Sequence, residues 1–203
     1  MTVKPPMIGI AGWKRSGKTT LVMRLIAELT ARGLKVATIK HAHHDFQIDQ
    51  GEADSAKHRR AGAVQVGIVS AKRWALIREL QDAPEPSLDD MVGRLDPCDL
   101  IVVEGYKRAP IPKIEVRRQA ALSHVPLATD DPNVLAIASD YLVEGTKLPT
   151  FALDDIKAIA DFVVRTLNVA ARPGSRAPTA KEARPDSPPV VSETRLRHDD
   201  GEG

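Results

Sequence analysis

Gly12-Trp13-Lys14-Arg15-Ser16-Gly17-Lys18-Thr19 carries the spacing G-x-x-x-x-G-K-T, the pattern of a phosphate-binding P-loop. Each residue type has a physical task. Gly12 and Gly17 let the backbone turn tightly and bring amide N–H groups against an anion. Those amides and the positive end of a following helix cradle phosphate oxygens. Lys18 reaches the terminal phosphates as a point charge and is the first candidate catalytic group; Thr19 offers its hydroxyl to a magnesium ion. The candidate nucleotide-binding positions are Gly12, Trp13, Lys14, Arg15, Ser16, Gly17, Lys18, Thr19 and Thr20. The apolar run Met7–Ala11 ahead of the loop and the helical pattern behind it give strand, loop and helix in order.

Such a site needs a carboxylate as well. Glu104 closes the β-rich run Asp99–Val103, and an acidic residue at the tip of a buried strand completes a nucleotide–magnesium site. Glu104 is therefore both a catalytic and a metal candidate. A second polar stretch, His41 to Gly51, has no apolar period and reads as a loop at the carboxyl end of a strand, where open α/β sheets bind ligands. Asp45, Asp49 and Asp54 are further magnesium candidates. His41, His43 and His44 suit zinc or nickel, but no cysteine or fourth ligand accompanies them, and a polar loop facing a nucleotide or an interface is the preferred reading. Lys57, His58, Arg59 and Arg60 form a basic patch, read either as a solvated helix face or as a site for a phosphorylated ligand.

The elements that position these residues follow from periodicity. Leu21, Val22, Leu25, Ile26 and Leu29 make one stripe on a helix from Lys18 to Arg32, stopped by Gly33. Leu34–Lys40 is a second strand, so this βαβ unit makes a parallel pair. Asp54–Ala61 is a short helix and Val64–Ser70 a third strand; Arg73–Leu80 reads as a strand in preference to a helix. Ser87, with Asp90 three residues on, caps a helix to about Leu95. Lys113–Arg118 and Val134–Ser139 are strands. Phe151–Asn168 is a strand end and then a helix, with Asp154 and Asp155 at its start and Ile156, Ile159, Val163 and Leu167 as its buried stripe.

Composition narrows the function. The 203 residues carry a net charge of +2 and only 3% aromatics, so neither charge nor stacking capacity asks for a nucleic-acid partner. No run approaches a membrane span, and Met1–Pro6 has no signal-peptide core. The single cysteine, Cys98, allows no internal disulfide and reads as a small strand-start residue. A cytoplasmic protein is expected. From Ala170 to Gly203 there are five prolines, six basic and six acidic residues. That stretch cannot offset its chain entropy by burial and reads as a disordered tail. The expected organisation is one P-loop domain over 1–169 and a tail over 170–203.

Three stretches together resemble one family: GWKRSGKTTL (Gly12 to Leu21), KHAHHDFQID with ADSAKHRRAGA (Lys40 to Ala63), and DLIVVEGYK with PKIEVRR (Asp99 to Arg118). They are similar to molybdopterin-guanine dinucleotide biosynthesis protein B, the MobB family. The histidine loop and the EGYK…PKIEV segment carry more of the likeness than the P-loop does. The resemblance implies a P-loop NTPase fold: α/β, a doubly wound, mostly parallel sheet with helices on both faces. It implies a GTP-binding homodimer with weak GTPase activity and GTP and Mg2+ as cofactors. It implies an adapter role beside molybdopterin-guanine dinucleotide biosynthesis protein A, which transfers GMP to molybdopterin, and other molybdenum-cofactor assembly proteins. Carried over by position, Thr19, Asp54 and Glu104 surround the metal. Where family members read more like G-K-D-S, this chain has Glu52-Ala53-Asp54-Ser55, so position 53 offers no lysine. The N/T-K-x-D base-reading motif is absent; Asp140, after a late strand, reads either as a surface strand-end aspartate or as an acceptor of two N–H bonds from guanine.

Two other functions fit the P-loop chemistry. One is an ATP-dependent small-molecule kinase or ligase of the dethiobiotin synthetase type, the other a metal-insertion GTPase using the histidines.

Overall fold

A computed structural model describes residues 4–42 and 53–169. In chain order the elements are β1 (Met7–Gly12), α1 (Lys18–Ala31), β2 (Val36–Lys40), α2 (Asp54–Arg60), β3 (Gln65–Val69), β4 (Trp74–Arg78), α3 (Leu88–Val92), β5 (Leu100–Glu104), β6 (Lys113–Arg117), a 3-10 turn (Leu127–Thr129), β7 (Val134–Ser139), β8 (Thr150–Ala152) and α4 (Ile156–Thr166).

Six strands form one parallel sheet in the order β2-β5-β1-β6-β7-β8. The chain leaves β1 toward β2, returns to β5, then crosses to β6 on the other side of β1. The direction of winding reverses beside β1, and the crevice at such a reversal is where these sheets bind ligands. β1 and β5 have no edge exposed and read as unbroken apolar runs, as doubly covered strands must.

Side-chain parity sorts the core into two layers. Ile8 and Ile10 of β1, Leu100 and Val102 of β5, Ile114 and Val116 of β6, and Ala136 and Ala138 of β7 face α1 and α4. The stripe of α1 (Leu21, Val22, Leu25, Leu29) and that of α4 (Ile156, Ile159, Ala160, Val163) close this layer. Each buried Leu, Ile or Val of this layer contributes about 1.5–3 kcal/mol by leaving water. On the opposite face Ile39, Ile101 and Val103 pack under α3 through Leu88 and Val92. Ser87 and Asp90 form the anticipated reciprocal cap of α3.

Helices thus lie on both faces, though unequally. α3 is only five residues long, and the reverse side of β6 is covered by a loop pinned with buried charges. Lys113, 1% exposed, reaches Asp131 at 2.6 Å. Glu115 accepts N–H bonds from Leu127 at 2.8 Å and Ala128 at 3.0 Å, and pairs with Arg117. Gly9 makes room for this arrangement, since a Cβ there would lie 3.0 Å from Cγ of Lys113.

Two sequence expectations take a different form. β2 begins at Val36, later than Leu34. The strands read at Val64–Ser70 and Arg73–Leu80 do not join the parallel sheet; they pair with each other as an antiparallel ribbon. The reason is the short connection: Ser70 N–H donates to the Arg73 carbonyl at 2.9 Å, and two strands joined by a tight turn pair only antiparallel. α2 packs on this ribbon, where Ala56 and Val66 are buried and Arg59 pairs with Glu79 at 2.9 Å. Among the described residues no helix is long and apolar enough to cross a membrane.

Candidate functional site

The site is built by strand alternation. In β5, Leu100 and Val102 face α1, so the next residue of that parity, Glu104, faces the start of α1. In β2 the same parity runs Val36, Thr38, Lys40; in β6 it runs Ile114, Val116, Arg118; in β7, Ala136, Ala138, Asp140. Read across the sheet, the carboxyl ends therefore present Lys40, Glu104, the glycine loop, Arg118 and Asp140 on one side.

The loop itself is shaped to receive an anion. A Cβ at Gly12 would lie 2.5 Å from the Val116 carbonyl and 2.6 Å from Ser16 Oγ, so only glycine fits. Arg15 and Gly17 hold φ values of 65° and 87°, a left-handed conformation that turns successive amides toward one concavity. Gly17 caps α1 without a side-chain hydrogen bond, leaving the first N–H groups of the helix for a ligand. Ser16 Oγ is buried without a partner, and its residue is 1% exposed.

The groups around the loop are mutually engaged. Thr19 Oγ1 donates to Glu104 Oε1 at 2.6 Å, and Lys40 Nζ lies 3.5 Å from the same oxygen. Lys18 Nζ donates to the Trp13 carbonyl at 2.8 Å, folded back over its own loop. Trp13 Nε1 donates to the Val125 carbonyl at 2.7 Å, and Lys107 Nζ sits 3.9 Å above the indole ring. Burial depresses the Lys18 ammonium below the usual lysine range; Glu104 opposes this, while Lys107 and Lys40 add to it.

This donor set fits a magnesium-bound nucleotide phosphate. A hydroxyl and a carboxylate oxygen side by side are hard ligands of the kind magnesium takes, with water and phosphate oxygens completing its shell. The orphaned Ser16 hydroxyl and the uncapped helix start suit the phosphate.

The other sequence candidates are placed as follows. Asp54 is 88% exposed on its side chain and pairs with Lys57 at 3.3 Å; no hydrogen bond joins it to Thr19 or Glu104. Asp140 accepts the Gln119 N–H at 2.9 Å and faces Arg118 Nε at 3.4 Å. His41 pairs with Glu85 at 2.9 Å and lies against Tyr106. His43, His44, Asp45 and Asp49 lie outside the described residues, as does the tail 170–203. Among the described residues no three His, Cys, Asp or Glu converge as a metal cluster. The basic patch is partly paired within α2 and the ribbon, through Lys57–Asp54 and Arg59–Glu79. Sequence reading gave no role to Lys40, Lys107 or Arg118. Parity would have found Arg118, one step of two beyond the core residue Val116.

Fold and site together define a P-loop α/β protein. The family model of molybdopterin guanine dinucleotide synthesis protein B, MobB, matches residues 7–140, and the chain belongs to that family. It is 41% identical over 166 residues to a molybdopterin-guanine dinucleotide biosynthesis adapter protein of Haemophilus influenzae, covering 80% of this chain and 90% of the relative. A relative of the same description from Escherichia coli is 39% identical over 161 residues, covering 78% and 91%. A crystal structure of molybdopterin-guanine biosynthesis protein B superposes with a TM-score of 0.61 at 30% identity, covering 79% of this chain and 99% of that one.

Proposed function

We propose that this protein is a GTP-binding adapter in the conversion of molybdopterin to molybdopterin guanine dinucleotide, with weak GTPase activity. In this reading it works in the cytoplasm as a homodimer, beside the GMP-transferring protein A and other molybdenum-cofactor assembly proteins. The observation that carries the nucleotide part is the Thr19–Glu104 hydrogen bond at the mouth of a glycine loop with an uncapped helix start. The adapter part is supported by the description of the relatives at 41% and 39% identity.

The chain's own groups divide the work. The amides of Gly12 to Thr19 and the start of α1 bind phosphate oxygens. Lys18 exchanges the Trp13 carbonyl for the terminal phosphates. Thr19 and Glu104 would hold magnesium, which neutralises charge on the phosphate oxygens when bound. Homodimer formation is supported by the apolar row on one face of the β3–β4 ribbon, where Val69, Trp74 and Leu76 are exposed.

Calorimetric titration with GTP and ATP in magnesium tests the nucleotide part: the expected result is GTP binding with poor ATP binding. Equal affinity, or a preference for ATP, would favour a kinase or ligase. A pull-down of molybdenum-cofactor assembly proteins, with and without GTP, tests the adapter part; no capture in either condition would sink it.

A further inference from the structure

On the β5 side of the glycine loop stands the pair Lys40–Glu104; on the β6 side stands a second pair, Arg118–Asp140. Arg118 is one residue past the end of β6 and continues the parity of Ile114 and Val116, so it lies on the α1 side of the sheet. Its guanidinium comes down beside the loop. Nη1 and Cδ are each 3.8 Å from where a Cβ on Gly17 would be. Gly17 is the residue that opens α1 without a side-chain cap, and the buried, unpartnered Ser16 hydroxyl is its neighbour.

Asp140 is used on both oxygens. Oδ1 takes the Gln119 N–H at 2.9 Å, and Oδ2 faces Arg118 Nε at 3.4 Å. With the carboxylate on the Nε side, the outer edge of the guanidinium fork, Nη1 and Nη2, is left for another acceptor. Among the described residues those two nitrogens have none. A planar fork of this kind matches phosphate oxygens in a way a lysine does not.

We propose that Arg118 is a phosphate-binding arginine of this site and that Asp140 is its positioning residue. The proposal rests on the nucleotide-binding reading above. It also gives Asp140 a task other than reading guanine.

The test uses the full chain and two probes, GTP and inorganic tripolyphosphate, titrated calorimetrically in EDTA so that magnesium plays no part. Arg118→Ala is expected to weaken both probes by about ten- to a hundredfold, with an unchanged melting temperature. Arg118→Lys restores part of the loss, because charge returns without the fork. Asp140→Asn weakens GTP, xanthosine triphosphate and tripolyphosphate in parallel. Lys18→Ala is the control for the site as a whole. If Lys18→Ala abolishes binding while Arg118→Ala binds both probes like wild type, the arginine proposal fails and the site reading stands. If Lys18→Ala binds like wild type, the site reading fails and takes this proposal with it. A loss for GTP without a loss for tripolyphosphate in Arg118→Ala would put the arginine on the base or sugar and overturn its phosphate role. A switch toward xanthosine triphosphate in Asp140→Asn would make that aspartate a base reader and overturn its positioning role.

Discussion

The hydroxyl of Thr19 and the carboxylate of Glu104, 85 residues apart in the chain, are hydrogen-bonded at 2.6 Å. Two features produce this contact. β1 and β5 are parallel neighbours with Ile10 opposite Glu104, and alternation along β5 turns Glu104 toward α1. Glu104 is only 8% exposed, and a buried carboxylate is retained where something charged or polar meets it.

Glu104→Gln should flatten the magnesium dependence of GTP affinity while leaving affinity in EDTA close to wild type. Asp54→Asn should leave that dependence within about twofold, since Asp54 is an exposed partner of Lys57 and exposed pairs contribute little. Titrations with and without magnesium on the three proteins measure this. An equal loss in both variants would bring Asp54 back as a ligand.

Lys18→Ala should lower GTP affinity by on the order of a hundredfold with the fold intact. The wild type should also show an early alkaline loss. Burial holds Lys18 below the ordinary lysine range, so folding favours its neutral form. Its contribution to stability therefore rises as pH climbs through the folded value and levels off at the unfolded one. Phosphate binding needs the ammonium, so GTP affinity falls over that same climb. Calorimetry between about pH 7 and 10 should show the fall in wild type and a flatter profile in Lys18→Arg.

Gly12→Ala should destabilise the domain by about 2 kcal/mol or more and abolish nucleotide binding, because the new methyl meets the Val116 carbonyl at 2.5 Å. Urea denaturation and GTP titration read the two effects. A stable variant that binds GTP would show that the loop has room to move.

Asp131→Ala strands the Lys113 ammonium, which is 1% exposed, and should cost about 3–5 kcal/mol. Burial alone would raise the Asp131 carboxyl, but the hydrogen bonds from Lys113 and Asn133 outweigh it and hold it below the usual range. A depressed carboxylate stabilises the fold above its unfolded pKa, and that contribution is lost as pH falls through the folded value. Wild-type stability should therefore drop below about pH 4, and the drop should be smaller in Asp131→Asn. Chemical denaturation across that range checks both statements.

Val69→Asp combined with Trp74→Asp should convert a dimer into monomers in sedimentation velocity. The two side chains are 83% and 71% exposed in the single chain, so the change should leave the secondary structure by circular dichroism as it was. A wild type that sediments as a monomer would remove the homodimer from the proposed function.

Local chemistry was legible in the sequence because its rules act over a few residues. The G-x-x-x-x-G-K-T spacing fixed the glycine loop, since only glycine tolerates the approach at position 12. The stripe of α1, the Ser87–Asp90 cap and the apolar β5 run were readable from periodicity and capping. Glu104 was readable as a strand-tip acid beyond that run. Strand order is a different kind of information. Only the tertiary structure put β5 beside β1 and gave Glu104 to Thr19. It also put β3 and β4 in their own ribbon, and paired Asp54 with Lys57. It set Arg118 and Asp140 side by side at the ends of β6 and β7. Period and propensity are properties of neighbouring residues, whereas these pairings depend on which distant strands share a ladder, and that is settled by packing the whole sheet against α1 and α4.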